Sequence, residues 1–393
     1  MIIDREGVVD MKNNHISSSN PRSISIPNFF YVGYGIIQNL ERILIKEGIK
    51  IDGSLIVSGN GYTAEIADSI ASGISSTRRL CISSNDIDAI KSIERAVEDN
   101  NINLAVAVGG GKVIDTVKYA CSRLSKPVLV IPTTLSNDGI SSPVSVVRMV
   151  RESVSVKPPI GIIVDIGIVK NAPKHTILAG IGDLISNISA VEDWRLAHEY
   201  TGLQIDRFAE IVSRNAAERF IYYVLKNGRK DIKRNKDNAI KDDSDLNYND
   251  NASNILNDNK FLICLAEGLI QSGIAMSIAG SSRPASGAEH LISHALDTIL
   301  DKPKPHGIQV GFATLFTQVL RNSDITDIIE VYRLVGFPTI LDTIGISVNE
   351  FIEAIKIAPY TRKNRFTILD IVDESRIKDA LKLAYGIDKL DSL

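Results

Sequence analysis

The sequence predicts an α/β N-terminal part built on a parallel sheet and an all-α C-terminal part. Short β-branched runs alternate with helical patterns between residues 26 and 170, as strands and crossover helices do in a parallel sheet. Beyond Asn171, long helical periodicity dominates and few β-rich runs remain. A length of 393 residues exceeds one ordinary core. We therefore expect an α/β domain over 26–170 and a helical domain over 171–393.

Five apolar runs predict the strands. In chain order they cover residues 54–60, 80–85, 103–111, 127–134 and 161–169. Helical patterns follow the first three runs, at 62–74, 87–100 and 112–124. Strands that lead into helices in this way pair in parallel, with the helices on the faces of the sheet. In the C-terminal part the helical periodicity spans 175–226 and 261–300.

Two segments lack the apolar residues that a core requires. Residues 11–25 are polar and rich in Ser and Asn, and we expect a loose N-terminal arm over 1–25. Residues 227–260 are dominated by Asn, Asp and Lys, so burial cannot offset their ordering entropy. We expect a polar, exposed insertion or helix connection there, with a binding tail as the alternative.

Composition excludes several classes of partner. Apolar residues make up 44% and charged residues 23%, which excludes wholesale disorder. The net charge of −3 carries no basic footprint, so nucleic acid is not expected as a partner. Three cysteines without CxxC spacing argue against a disulfide framework and favour a cytoplasmic location. The acidic start does not resemble a secretory signal, and no uninterrupted apolar run reaches the ~18 residues of a membrane span, so no integral membrane contact is expected.

Gly109, Gly110 and Gly111 stand between a predicted strand and a predicted helix. Glycines let the backbone approach a ligand closely, and the helix N-terminus offers free N–H groups, which suits a pyrophosphate. The stock phosphate motifs do not match, because Val113 replaces the Ser or Thr of a P-loop and Ile114 occupies the last glycine position of G-x-G-x-x-G. On the glycines alone, a tight turn without a ligand is an equally good interpretation.

A second polar turn strengthens the nucleotide hypothesis. The segment IPTTLSNDGISSP (131–143) ends a predicted strand in hydroxyl and amide side chains. In an open parallel sheet, ligands bind beyond the carboxyl ends of the strands. Both turns would open at that edge, which predicts a shared nucleotide crevice.

Three of the six histidines, His290, His294 and His306, fall in one short span. His290 and His294 are four residues apart and share a helix face, and His306 follows a Pro-rich turn that would fold back over them. The spacing is not the HExxH of metalloproteases. A structural histidine pair is the alternative, but the third histidine favours a metal site.

A carboxylate ligand is available at Asp183, within GIGDLISN (180–187). The sequence predicts a glycine turn and a helix start there, where an anion is favoured and where Asp183 would also serve as an N-cap. One carboxylate and two histidines would form a three-ligand site with an open position, which is typical of catalytic metals. The same ligand types suit Fe²⁺, so they do not fix the metal.

Five sequence blocks together resemble a known superfamily. They are GGGKVID (109–115), IPTTLSNDGISSP (131–143), GIGDLISN (180–187), GSSRPASGAEHLISHALD (280–297) and PHGIQVG (305–311). The chain resembles the glycerol dehydrogenases, iron-containing alcohol dehydrogenases and dehydroquinate synthases from about residue 26 to 385. Within this superfamily it is most similar to the sn-glycerol-1-phosphate dehydrogenases, chiefly through SNDGISSP and the 280–297 block.

This resemblance implies a dehydroquinate synthase-like fold, in which a Rossmann-like N-terminal domain and a helical C-terminal domain enclose the catalytic cleft. It implies that NAD(P)H binds through a pyrophosphate turn formed by Gly111, Lys112, Val113, Ile114 and Asp115. On the nicotinamide side the implied contacts are Thr133, Thr134, Leu135, Ser136 and Ser142. The implied ligands of one divalent metal, with Zn²⁺ preferred and Fe²⁺ or Ni²⁺ as alternatives, are Asp183, His290 and His306. The residues implied to face the substrate are Asp138, Asp183 and His294.

The implied activity is NAD(P)H-dependent reduction of dihydroxyacetone phosphate to sn-glycerol 1-phosphate, for the backbone of archaeal-type membrane lipids. The metal would polarise the carbonyl group, and His294 would relay a proton or orient the substrate. Arg283 is the candidate for the substrate phosphate, with a structural arginine as the alternative. For the whole chain the alternatives are a glycerol or other polyol dehydrogenase, a dehydroquinate synthase-type lyase and a non-catalytic nucleotide-binding protein. The choice between NADH and NADPH and the formation of a homo-oligomer stay open.

Overall fold

A six-stranded parallel sheet organises the N-terminal part of the computed structural model, which describes residues 23–74, 76–147, 153–238 and 254–387, without the side chains of 229–238. The strands are β1 Phe29–Gly33, β2 Leu55–Ser58, β3 Arg78–Cys81, β4 Ala105–Gly109, β5 Val128–Pro132, β6 Val144–Val146, β7 Ser153–Ser155 and β8 Gly161–Asp165. The order in the large sheet is β1-β8-β5-β4-β2-β3, with every pair parallel. β6 and β7 form a separate antiparallel pair. The predicted α/β class is confirmed.

Helices cover both faces of the sheet. They are α1 Leu40–Lys46, α2 Tyr62–Ser72, α3 Ile87–Asp99 and α4 Gly111–Arg123. Successive residues of β4 point to opposite faces, so Val106 and Val108 pack in one apolar cluster with α1 and α2, while Ala105 and Ala107 pack with α3 and α4. Because β4, β5 and β8 are buried along their whole length, they read as continuous apolar runs rather than alternating ones.

The structure corrects the predicted strands in several places. β3 covers Arg78–Cys81 where the sequence predicts 80–85, and the β6–β7 pair was not predicted. The predicted strand 161–169 ends at Asp165, whose side chain accepts from the N–H of Gly167 and starts a short helix, α5 Ile166–Val169. β1 was not predicted; Phe29–Gly33 is an edge strand that pairs only with β8. The same Asp165 carboxylate accepts from the N–H of Gly35, which ties the segment after β1 to the end of β8.

The C-terminal part contains helices only within the described residues. They are α6 Lys174–Ile185, α7 Asn187–Thr201, α8 Arg207–Asn238, α9 Asn259–Ala279, α10 Ala288–Ile299, α11 His306–Leu320, α12 Thr326–Val335, α13 Leu341–Ile344, α14 Val348–Ile357 and α15 Glu374–Tyr385. α9 is long and apolar enough to cross a membrane, but 72% of its most apolar window is buried inside the protein. It packs against α8 and α6 as the core helix of this part.

The polar segment 227–260 is only partly an insertion. α8 continues to Asn238, and the chain after the gap contributes Leu256 to the apolar core at 3% exposure. Asp258 caps α9 by accepting from the N–H of Phe261 at 2.8 Å. Residues 1–22 of the arm predicted over 1–25 and the middle of the insertion, 239–253, lie outside the described residues.

Glycines set the distance between α6 and α11. A Cβ on Gly307 would lie 1.9 Å from the carbonyl oxygen of Ala179, and one on Gly182 would lie 2.1 Å from that of Gly307. Both obstacles are backbone atoms, so no side-chain rotation relieves the clash. The two helices therefore approach more closely than any other residue type would permit at these positions.

We expect Gly307→Ala to lower the free energy of unfolding by at least ~3 kcal/mol, at the upper end for overpacking, since the helices must separate. Gly73→Ala is the matched control, because its Cβ would meet its nearest neighbour at an ordinary 3.7 Å. Scanning calorimetry should show a fall of several degrees in Tm for Gly307→Ala and almost none for the control. Equal midpoints would contradict the close-packing argument.

Candidate active site

Asp183, His290 and His306 form a cluster whose ligand atoms all lie within 4.8 Å of one another. The Nε2 atoms of His290 and His306 are 3.7 and 3.9 Å from Oδ1 of Asp183. The two imidazole rings meet edge to face, with centroids 5.0 Å apart. Three potential ligand atoms therefore point at one small volume, and each comes from a different helix.

The structure places Asp183 in the last turn of α6, not at the helix start that the sequence predicts. The glycines of GIGDLISN are helical, and they serve contacts rather than a turn. A Cβ on Gly180 would lie 2.0 Å from the carbonyl oxygen of Leu135, so α6 can lie directly against the turn that follows β5. This contact delivers Asp183 to the carboxyl edge of the sheet.

Both histidines are oriented by hydrogen bonds to their Nδ1 atoms. Glu289 Oε1 lies 3.0 Å from Nδ1 of His290, and Ser293 Oγ lies 3.1 Å from Nδ1 of His306. A proton held on Nδ1 leaves the Nε2 lone pair free for a metal. Glu289 was not predicted as a functional residue, although its position directly before a histidine at a helix start was a usable signal.

The electrostatics of the cluster suit a cation. Burial, followed by the nearby Asp138, raises the pKa of Asp183 to about 7. Burial, with His290 and His294 nearby, lowers the pKa of His306 well below its usual range, so its ring stays neutral. Burial opposes protonation of His290, yet the Glu289 hydrogen bond and the charges of Glu289 and Asp183 outweigh it and raise that pKa. The donor set of one carboxylate and two imidazoles fits a divalent metal with an open position.

Glu289→Gln should weaken metal binding by ~10–100-fold, the usual effect of losing a partner that orients a ligand. The reason is that a neutral amide no longer fixes the proton on Nδ1 of His290 as a carboxylate does. The control is Glu218→Gln, which removes an exposed carboxylate paired with Arg214 on α8. Metal content should be measured after dialysis against graded chelator concentrations. If Glu289→Gln retains as much metal as the wild type, the Glu289 carboxylate does not orient His290 for metal binding.

Asp138 and His294, predicted to face the substrate, lie beside the cluster. The N–H of Asp138 donates to Oδ2 of Asp183 at 2.9 Å, and its own carboxylate accepts from Ser272 at 2.9 Å. The His294 ring stacks on His306 with centroids 6.1 Å apart. Burial, then His290, Arg362 and Arg365, lowers the pKa of His294 to about 4, so this half-buried ring is neutral at pH 7.

The two polar turns lie side by side, as the sequence predicts. β4 and β5 pair in parallel up to Gly109 and Pro132, and the N–H of Thr133 donates to the carbonyl of Gly109. The Cβ position of Gly110 faces Thr134 at 3.6 Å, and α4 begins at Gly111 without a side-chain cap. The first N–H groups of α4 thus open onto the turn after β5, as an anionic ligand requires.

The predicted cofactor contacts fall into two groups. Side chains of the first group are buried, so only their backbone atoms are available to a ligand: Val113, Ile114, Thr133, Leu135 and Ser142. The remainder are half-buried or exposed at the turns: Gly111, Lys112, Asp115, Thr134 and Ser136. The crevice therefore offers mainly backbone groups and two hydroxyls.

A buried lysine, missed at the sequence level, holds the second turn in place. Lys118 is fully buried, and its Nζ donates to the carbonyls of Gly139 at 2.8 Å and Val144 at 2.6 Å. The Asp115 carboxylate lies 3.5 Å from that Nζ, and burial raises its pKa to about 6. This pair fixes the 138–146 segment against α4. No sequence signal marks it, since lysines are mostly exposed.

Arg283 does not point at the cluster. Its guanidinium donates to the backbone carbonyls of Phe366 at 2.7 Å and Asn364 at 3.2 Å. Its hydrogen bonds therefore hold the loop between α14 and α15. The structure thus favours the structural alternative for this residue.

Comparison with known proteins shows the family of this chain. The sequence profile of the iron-containing alcohol dehydrogenase family matches residues 31–173. A glycerol-1-phosphate dehydrogenase (NAD(P)+) of Pyrococcus horikoshii is 34% identical over 88% of this chain and 93% of its own. The Pyrococcus abyssi protein of the same name is 40% identical over 72% of this chain and 75% of its own.

Solved structures share the fold. A probable glycerol dehydrogenase from Sinorhizobium meliloti aligns with a TM-score of 0.68 and 20% identity over 93% of this chain and 98% of its own. A sulfoacetaldehyde reductase from Bifidobacterium kashiwanohense, solved with NAD+, aligns with a TM-score of 0.65 and 15% identity. The alignment covers 92% of this chain and 98% of that chain. The relatives define an NAD(P)-linked oxidoreductase whose residues 31–173 match the iron-containing alcohol dehydrogenase profile. Among these oxidoreductases, the chain belongs to the glycerol-1-phosphate dehydrogenase family.

Proposed function

We propose that this chain reduces dihydroxyacetone phosphate to sn-glycerol 1-phosphate with NAD(P)H. The observation that carries the proposal is the convergence of Asp183, His290 and His306 within 4.8 Å, beside the crevice formed by the two polar turns. Relatives that are 34–40% identical carry the name of this activity. We further propose that the enzyme is cytoplasmic and forms a homo-oligomer. Its product would supply the backbone of archaeal-type membrane lipids.

The described side chains fit both groups that the family uses. Asp183, His290 and His306 would hold the cation, and Gly111, Thr134 and Ser136 would lie along the dinucleotide. When bound, the cation polarises the substrate carbonyl and the dinucleotide supplies the hydride.

The remaining residues of the site would bind and orient the substrate. Ser272 and the hydrogen bond to Asp183 fix Asp138 at the rim of the cluster, where its carboxylate can accept from a substrate hydroxyl. His294 is a neutral imidazole at pH 7, because burial lowers its pKa to about 4. A neutral ring has one donor and one acceptor nitrogen, so His294 can pass a proton to the developing alkoxide from solvent.

The test is a spectrophotometric assay with dihydroxyacetone phosphate and either NADH or NADPH, run with and without a chelator. We expect turnover that the chelator abolishes and a divalent metal restores, with sn-glycerol 1-phosphate as the product by chiral analysis. Formation of sn-glycerol 3-phosphate, or turnover of glycerol alone, would overturn the proposal. Release of inorganic phosphate without net NAD(P)H consumption would instead indicate the lyase alternative.

A further inference from the structure

Three arginines gather beside the turn that precedes α10. Arg283 and Arg365 are buried, at 8% and 7% exposure, and Arg362 is half-buried. Arg365 donates to Ser282 Oγ at 2.7 Å and to the carbonyl of Ser286 at 2.9 Å. Arg362 donates to the same Ser282 Oγ at 3.0 Å. The cluster thus converges on the short SSRPAS segment that leads into the metal-ligand helix.

Buried cations normally pair with carboxylates, yet here the hydrogen-bond acceptors are neutral. No carboxylate among the described residues forms an ion pair with Arg283 or Arg365, and only the more distant charges of Asp193, Glu289 and Asp370 act on them. Burial and then the neighbouring guanidiniums Arg362 and Arg283 lower the pKa of Arg365. An unpaired buried charge is costly, so this arrangement favours binding of an anion.

Arg283 stabilises the loop that carries the other two arginines, Arg362 and Arg365. It donates to the carbonyls of Asn364 and Phe366 in that loop. The loop is also held by stacking of Phe366 on Tyr200, with centroids 5.5 Å apart. A guanidinium has five N–H donors, and Arg365 uses two of its nitrogens in the hydrogen bonds described, so donors remain for a ligand.

The cluster lies close to the active site along the segment that leads into α10. The charges of Arg362 and Arg365 also contribute to lowering the pKa of His294, whose ring stacks on the metal-ligand candidate His306. Ser286 lies two residues before α10, which carries His290 and His294. Arg365 therefore binds the carbonyl of a residue only four positions, about one helical turn, before the ligand candidate His290. In dihydroxyacetone phosphate, one methylene and one ester oxygen separate the carbonyl carbon from phosphorus, so a phosphate at the guanidiniums leaves the carbonyl on the side of the metal cluster.

We propose that Arg362 and Arg365 bind the phosphate group of the substrate, with Arg283 as the positioning residue for their loop. This inference rests on the proposed function and names the residues that make the site specific for a phosphorylated substrate. A planar guanidinium matches phosphate oxygens with two parallel hydrogen bonds, and two such groups match a dianion in charge.

The test compares Arg365→Gln and Arg362→Gln with the exposed control Arg333→Gln on α12. For each, kcat/KM is measured for dihydroxyacetone phosphate and for unphosphorylated dihydroxyacetone, together with metal content and competitive inhibition by inorganic phosphate. We expect Arg365→Gln to lower the ratio of the two kcat/KM values by ~30–100-fold, as the loss of charge-assisted hydrogen bonds predicts. Inhibition by phosphate should weaken in parallel, and Arg333→Gln should change neither.

The outcomes separate this inference from the proposed function. If the wild type shows no preference for the phosphorylated substrate, the proposed function fails. If the wild type shows it and both variants keep the same ratio and the same phosphate inhibition, the arginines are structural and the inference is wrong. Should Arg365→Gln not fold, Arg362→Gln decides by the same ratio, since its half-buried side chain tolerates exchange better. Arg365→Lys keeps the charge without the planar fork and should show an intermediate ratio.

Discussion

His306→Ala should abolish turnover and remove the metal from the purified protein while leaving dinucleotide binding intact. His306 is the first residue of α11 and supplies one of the three ligand atoms in the candidate site found among the described residues. Loss of a residue that hydrogen-bonds to a metal ligand typically lowers the affinity for the metal by ~10–100-fold, so loss of a ligand should lower it by more than ~100-fold. Elemental analysis measures the metal content, and fluorescence titration with NADPH measures dinucleotide binding in the crevice between the two polar turns.

The control for this variant is His175→Ala, the same exchange at an exposed position near the start of α6. It should keep full metal content and turnover. If His306→Ala also keeps both, then the three-ligand assignment is wrong and the cluster is a structural group of buried histidines. Loss of NADPH binding would instead indicate that the substitution disturbs the packing of α11 on α6.

The parallel sheet was predictable because its central strands are short and apolar, and each is followed by a glycine or a polar turn. β4 ends at Gly109 and β5 at Pro132, and the ligand edge follows from parallel pairing alone. The edge strand β1 was missed although its sequence FFYVG is itself an apolar run, because its only partner, β8, lies far along the chain and leaves no local signal.

The histidines were predictable for a different reason. His290 and His294 share a face by helical spacing, and the proline turn before His306 suggested the return of the chain. Asp183 was placed at a helix start because glycines usually break helices. In the structure those glycines instead permit contact with Leu135 and Gly307, which only tertiary packing reveals.

The arginines that we propose to bind the phosphate were the least predictable. Arg283 stood in a recognisable block, and so it attracted the phosphate assignment, whereas Arg362 and Arg365 lie in a loop 80 residues away from Ser282. Their convergence depends on how the loop before α15 returns to the start of α10. Sequence spacing carries no information on such a long-range contact.

Preference for a phosphorylated substrate is the second large effect that we expect. Dihydroxyacetone phosphate should exceed dihydroxyacetone in kcat/KM by ~10⁴-fold or more, because a site built for a charged group leaves its donors unpaired when that group is missing. The buried guanidinium of Arg365 and the half-buried one of Arg362 are the donors that we propose for this group.

Part of this preference should appear in kcat and not only in KM. Binding energy from a remote dianion can be used to hold the carbonyl at the cluster, and loss of that energy lowers the rate of the bound complex as well. Both substrates should be measured on one preparation, at saturating NADPH and a fixed metal concentration, and inorganic phosphite can be added to the dihydroxyacetone assay as the missing anion. Partial rescue by phosphite, absent in Arg365→Gln, would tie the preference to the arginine cluster. A ratio near one would contradict the phosphate-specific function, whereas the fold and the Asp183–His290–His306 site would be unaffected, since neither depends on the substrate's charge.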